Sequence, residues 1–207
     1  MAQEQTVSID SMSLSMLGTF MLFDEIDEDS SKATCEFILK SNLIFDVNFP
    51  LIIFLNSPGG SVSDGFAIID TMLTSRIPIQ TIAIGEVASM GAAIFATGKK
   101  GLRLMTRNST MMTHQFSTMV YGKTHELMAV RKHHDIVSKK FIGHFKRHSK
   151  MSEKQIRDIL LRESDTYLEP KECLKYGLCD KIVEEPWTQI KASRVTEKQP
   201  IRKPVKK

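Results

Sequence analysis

Cysteine is scarce in this chain: Cys35, Cys173 and Cys179 are the only three in 207 residues. The number is odd and no pair has the spacing of a metal knuckle or redox motif, which excludes a disulfide-stapled scaffold and fits a reducing cytoplasm. Long hydrophobic runs are missing too. The apolar stretch at residues 12–23 is too short to span a bilayer and follows Glu4 and Asp10 rather than a basic segment. It reads as a strand entering a core, not as a signal peptide or membrane helix. No Gly-x-x-x-x-Gly-Lys-Ser/Thr loop occurs, so any use of ATP belongs to a partner. No repeat appears at solenoid or propeller periods.

A net charge of either sign is nearly absent from the body, and an excess of positive charge is concentrated at one end. Residues 191–207 carry seven Lys or Arg against Glu197 alone, a net of +6, which leaves the preceding 190 residues at −2 within a formal total of +4. A basic tail on a mildly acidic body reads as a solvated, disordered end rather than a nucleic-acid footprint. With 42% hydrophobic and 25% charged residues the composition is that of one globular domain with a full core.

What is present alternates strand and helix. Residues 18–23 read as a strand, and a helix capped by Asp29 or Ser30 runs to about Ser41 with Ala33, Phe37 and Ile38 on one stripe. The continuous apolar run at 51–55 suits a strand covered on both faces. Asn56-Ser57-Pro58-Gly59-Gly60 ends it, a helix follows over 62–75, and 79–84 is again strand-like. Strand, glycine turn, helix and strand within about 35 residues form a βαβ unit, which predicts an α/β class. A turn at 85–89 leads to a short helix over 90–97, then two strands at 102–105 and 110–113. Leu127, Val130, His134, Val137, Phe141 and Phe145 recur at helical spacing within 123–148. A helix with a Ser152/Gln155 capping box spans 152–161, another spans 170–176 up to Gly177, and 181–183 is a last strand.

Three segments carry the chemistry. Ser89 stands between a buried strand and a helix start, where a turn lifts its hydroxyl and unpaired N–H groups face any developing negative charge. Helix capping alone explains such a serine equally well. The N–H groups of Gly60 and Met90 are candidates for the two donors that a tetrahedral intermediate needs, although a Gly-Gly pair also makes a plain tight turn. Serine needs a base within hydrogen-bond reach. Five of six histidines, His125, His133, His134, His144 and His148, fall in or beside the long helix, whereas His114 ends a strand. His144 and His148 are one helical turn apart, but no carboxylate accompanies them in a metalloprotease arrangement, so no metal is expected.

Asn56-Ser57-Pro58-Gly59-Gly60, Ala88-Ser89-Met90-Gly91-Ala92 and residues 108–115 (Asn-Ser-Thr-Met-Met-Thr-His-Gln) resemble the signature segments of the ClpP family, the proteolytic subunits of Clp protease. Residues 163–168 and Tyr176-Gly177-Leu178-Cys179-Asp180 extend the resemblance to about 18–184. It implies a ClpP/crotonase-like spiral of β-β-α units with a protruding strand-helix handle. It implies Ser89 as nucleophile, His114 as general base, Asp165 as the carboxylate orienting the imidazole, and Gly60 and Met90 as oxyanion donors. Asp158 and Glu163 stand close to Asp165 as competing carboxylates. The expected organisation is a flexible segment at 1–17, the peptidase domain at 18–185 and a basic tail at 186–207.

The same resemblance implies a cytoplasmic homo-oligomer of stacked rings, commonly heptameric, acting on polypeptides fed by a Clp-type AAA+ unfoldase ATPase. No cofactor, nucleic acid or membrane is expected. The chain departs from the family after His114: Phe116 stands where proline is usual, and residues 116–122 lack the usual glycine-rich run. Two other readings stay open, a non-catalytic or specialised maturation subunit on this fold and an acyl-CoA hydratase or isomerase relative.

Overall fold

The computed structural model describes residues 13–117 and 122–186. Most of the segment expected to be flexible at the start, part of the altered stretch after His114 and nearly all of the basic tail lie outside the described residues. Residues Leu14–Leu17 form a short 3-10 turn closed by Gly18.

The chain runs β1 (Thr19–Leu22), α1 (Glu28–Ile44), β2 (Leu51–Ser57), α2 (Val62–Thr74), β3 (Ile79–Ala88) and α3 (Met90–Thr97). It continues through β4 (Arg103–Thr106), β5 (Thr110–Thr113), α4 (Thr124–His148), α5 (Glu153–Gln155), β6 (Thr166–Leu168), α6 (Pro170–Tyr176) and β7 (Lys181–Val183). Strands β1-β2-β3-β4-β7 lie in that order, all parallel, while β5 pairs with both β3 and β6. This is the mixed α/β architecture that the resemblance implies.

The apolar run in β2 fills two cores at once, because side chains alternate across a strand. Leu51, Ile53 and Leu55 enter the main core with Ile38, Ile68 and Phe95. Ile52 and Phe54 enter a smaller cluster with Ile82, Leu104 and Val183 on the opposite side.

Four elements differ from the sequence expectation. Helix α1 is capped two residues early, by Asp27 in a reciprocal box with Ser30. The cause lies upstream: Ile26 is bridged to the glycine turn through Gly59 O and Ser61 N, so the chain leaves that bridge straight into a cap. Strand β3 runs on through the expected turn to Ala88. The helix at 152–161 keeps its capping box but turns π-helical over Ile156–Leu160. Thr166–Leu168, given no element of its own by the sequence pattern, is a strand antiparallel to β5.

Candidate active site

Strand β3 is bent so that it serves two neighbours. Thr81–Ala83 pairs with β4, and past Gly85 the same strand pairs Glu86–Ala88 with β5. The bend is held by Asn56, whose Oδ1 accepts the Glu86 N–H at 3.1 Å. Gly85 has φ +74°, and a Cβ there would lie 2.7 Å from that same oxygen. Only glycine fits such a position without strain.

Ser89 follows at the end of β3 with φ +53°, the single non-glycine residue among the described ones in that region. A conformation of this kind costs on the order of 1–3 kcal/mol and persists where its surroundings over-determine it. They do so here. The Ser89 N–H donates to Met112 O at 2.8 Å, and its carbonyl accepts from Ala92 and Ala93 in α3. The turn 56–60 lies flat against the same residue: a Cβ on Gly59, at φ +91°, would stand 2.7 Å from both Ala88 O and Ser89 Cβ.

The plain capping reading of Ser89 is excluded, since its side chain makes no cap bond to α3. Its Oγ lies 2.9 Å from Nε2 of His114 instead. With Nε2 unprotonated the hydroxyl donates to the ring, the arrangement in which a base can take the proton. Both side chains are half-buried.

Asp165 sits one residue beyond the last β5–β6 pair, Thr113 opposite Thr166, so the register carried one step further puts it opposite His114. Its side chain is exposed and makes no hydrogen bond or ion pair among the described residues. The structure therefore joins Ser89 to His114 and leaves the carboxylate beside them unengaged. Asp158 is paired elsewhere, with Lys154.

Gly60 and Met90 flank the serine from two directions, the first in the glycine turn and the second at the start of α3. Neither backbone N–H donates to a protein acceptor among the described residues. Two unpaired donors beside a serine hydroxyl can hold an oxyanion.

The site opens on a cleft of about 100 Å³ lined by Val62, Phe116, Phe141, Phe145 and Leu161 around Ser89 and His114, with no carboxylate, lysine or arginine among the described residues of its wall. Leu161 reaches it from the π-turn, where Leu161 N–H bonds back to Ile156 O. The sequence pattern read that segment as ordinary helix, and nothing in it marks Leu161 as a wall.

The other histidines are placed elsewhere. His144 is buried, donates from Nε2 to Ala93 O at 3.0 Å, and stacks on His148 with ring centroids 4.6 Å apart. Burial, then the neighbouring His148, pushes its pKa down to about 3. His134 donates to Phe116 O at 3.0 Å. No group of three or more metal-ligating side chains gathers among the described residues, and none of their helices is long and apolar enough to cross a membrane. A larger cavity, about 130 Å³, lies at the far end of α4 around Arg103, His148 and Asp180 and contains no nucleophile–base pair.

Comparison with known proteins gives two concordant findings. The sequence model of the family described as Clp protease matches residues 3–186. The chain is 35% identical over 152 residues to the ATP-dependent Clp protease proteolytic subunit of Deinococcus radiodurans, covering 72% of this chain and 73% of that one.

Proposed function

Since the chain belongs to the Clp protease family and is a protease subunit, we propose that it is a serine endopeptidase in which Ser89 and His114 perform acyl transfer. The observation that carries this is the 2.9 Å contact between Ser89 Oγ and His114 Nε2, on a serine held at positive φ. His114 takes the hydroxyl proton as Oγ attacks a peptide carbonyl. The N–H groups of Gly60 and Met90 receive the oxyanion. Collapse breaks the C–N bond, and the imidazolium gives its proton to the leaving amine. Water, deprotonated by the same ring, then attacks the ester and regenerates Ser89.

Asp165 completes the set as the carboxylate that orients His114. Register supports that role over Asp158. Its open position, together with the buried, unpartnered hydroxyls of Thr113 and Thr166 at the neighbouring pair, favours a site that tightens on assembly or substrate binding.

The relative's description as an ATP-dependent Clp protease proteolytic subunit supports an assembly served by a Clp-type ATPase, and the family resemblance of the sequence extends this to a stacked-ring homo-oligomer in the cytoplasm. The domain runs from 18 to 185, flanked by the short N-terminal segment and the basic tail. The unengaged Asp165 favours one second reading, a specialised subunit that makes few cleavages. The test is covalent labelling of the assembled protein with a fluorophosphonate or β-lactone. Wild type labels at Ser89, and Ser89→Ala loses the label while keeping its native mass. An assembled wild type that never labels there overturns the peptidase reading.

A further inference from the structure

We propose that Phe116 is the specificity-determining residue of the cleft beside Ser89, held in place by His134, and that it confines the residue whose carbonyl is attacked to aliphatic side chains. The inference rests on the peptidase reading above and adds its substrate class.

Two cavities meet at this residue. The cleft at Ser89 holds about 100 Å³. A second cavity, about 50 Å³, lies behind it among Gln115, Ser138, Ile142 and Arg157. Phe116, Phe141 and Leu161 border both, and so form the partition between them. Phe141 is buried in α4 and packs on Phe66 and Phe145, and Leu161 follows the π-turn, so both belong to the scaffold. Phe116 alone comes from the segment after β5 and is only half-buried.

Its position is set from the long helix. His134 Nε2 donates to the Phe116 carbonyl at 3.0 Å, and the two rings lie 5.4 Å apart at 36°. Ser138 Oγ stands 3.5 Å from the other ring nitrogen. His134 touches neither Ser89 nor His114 and acts only through Phe116, as a positioning residue.

Size and chemistry then fix the substrate class. Apart from the Ser89–His114 pair and the hydroxyls of Thr113 and Ser117, the wall is apolar, and among the described residues it carries no carboxylate, lysine or arginine to pair with a charged side chain; burying an unpaired charge is unfavourable. An apolar cavity of about 150 Å³ takes a benzene ring, so the cleft as closed by Phe116 is short of an aromatic guest and suits leucine, valine or methionine. Removing the Phe116 ring joins the two cavities and makes room for one.

The experiment compares two fluorogenic peptides that differ only in leucine or phenylalanine on the acyl side of the cleaved bond, read as the ratio of their kcat/KM values on the assembled protein. Wild type should favour leucine by at least about tenfold, within the 10–200-fold range that pocket fit supplies. Phe116→Ala should shift the ratio toward phenylalanine by about tenfold or more, and Phe116→Leu, which keeps apolar packing, should move it the same way by less. His134→Ala should move it in that direction too, and should add nothing in the Phe116→Ala background, since the two act as one unit. A wild type that accepts both peptides equally overturns the proposal. So does a Phe116→Ala or Phe116→Leu protein that still labels at Ser89 and keeps the leucine preference. Loss of labelling in the wild type is a different failure, that of the peptidase reading itself.

Discussion

At the scale of single residues the site is a set of backbone constraints before it is a set of side chains. Ser89 occupies a conformation that other residues avoid because β5, α3 and the glycine turn each hold it from a different side. Gly59 is the closest of these holds. Gly59→Ala should cost about 1–3 kcal/mol for its positive φ and more for the approach of its Cβ to Ala88 O, read as a lower urea midpoint. Labelling of Ser89 should slow in parallel. Unchanged stability and labelling would show that the turn does not support Ser89. The residue types at this site were legible in sequence through their joint order and spacing, since the serine and the glycine pair, taken singly, each have a plain structural use. The open position of Asp165 was not, because whether two side chains meet depends on the last residues of the β5–β6 ladder.

At the scale of elements, two buried ties fix α4 to the sheet and to the helix that starts at Met90. Arg103 on β4 donates from Nε and a second nitrogen to both carboxylate oxygens of Asp180, just before β7, and from a third nitrogen to His148 O at the end of α4. Arg103 is only 3% exposed. Burial pushes the Asp180 carboxyl up, but the Arg103 bonds and charge, with the Gly101 N–H, hold it below its ordinary value of 3.8. Its stabilising contribution is therefore present above that value and lost as pH falls through the depressed one. Asp180→Ala leaves Arg103 buried and unpaired and should lose about 3–5 kcal/mol by urea denaturation. A loss under about 1 kcal/mol would mean the pair is replaceable by solvent.

The second tie is His144, which links α4 to Ala93 in α3. Its folded-state pKa of about 3 lies below the ordinary 6.5 because burial, then His148, opposes its charge. Between those values the unfolded chain binds the extra proton, so its share of stability is full above pH 6.5 and falls as pH drops toward 3. The slope should approach 1.4 kcal/mol per pH unit, the value for one proton. Urea midpoints measured from pH 7 to pH 4 should decline in wild type and flatten in His144→Leu. An equal decline in the variant would assign the slope to other groups.

At the scale of the whole molecule, the long helix shows what a single chain leaves undone. Val137, Phe141, Ile142 and Phe145 are buried, whereas Leu127, Met128 and Ile136 on its first half are exposed. Helix α1 likewise exposes Leu39, Leu43 and Ile44. Apolar faces of this extent mark contact surfaces, in keeping with the proposed ring assembly. Native mass spectrometry should give a single integer multiple of the 23.4 kDa chain, and a population that stays monomeric at micromolar concentration would contradict the assembly. Leu127→Asp with Met128→Asp should reduce that multiple while the fold persists.

The sequence by itself determined the class, the order of elements and the residue types at the site, because hydrophobic period, caps and glycine turns are local properties of neighbouring residues. Residues 51–55 were readable as a doubly covered strand from their unbroken apolar run alone, although the strand itself runs on to Ser57. Only the tertiary structure decided that β3 continues past Gly85 to present Ser89, that the helix after Ser152 widens to place Leu161 in the cleft, and that Phe116 divides two cavities under His134. Each of these depends on contacts between segments far apart in the chain, and a local pattern carries no record of distance in space.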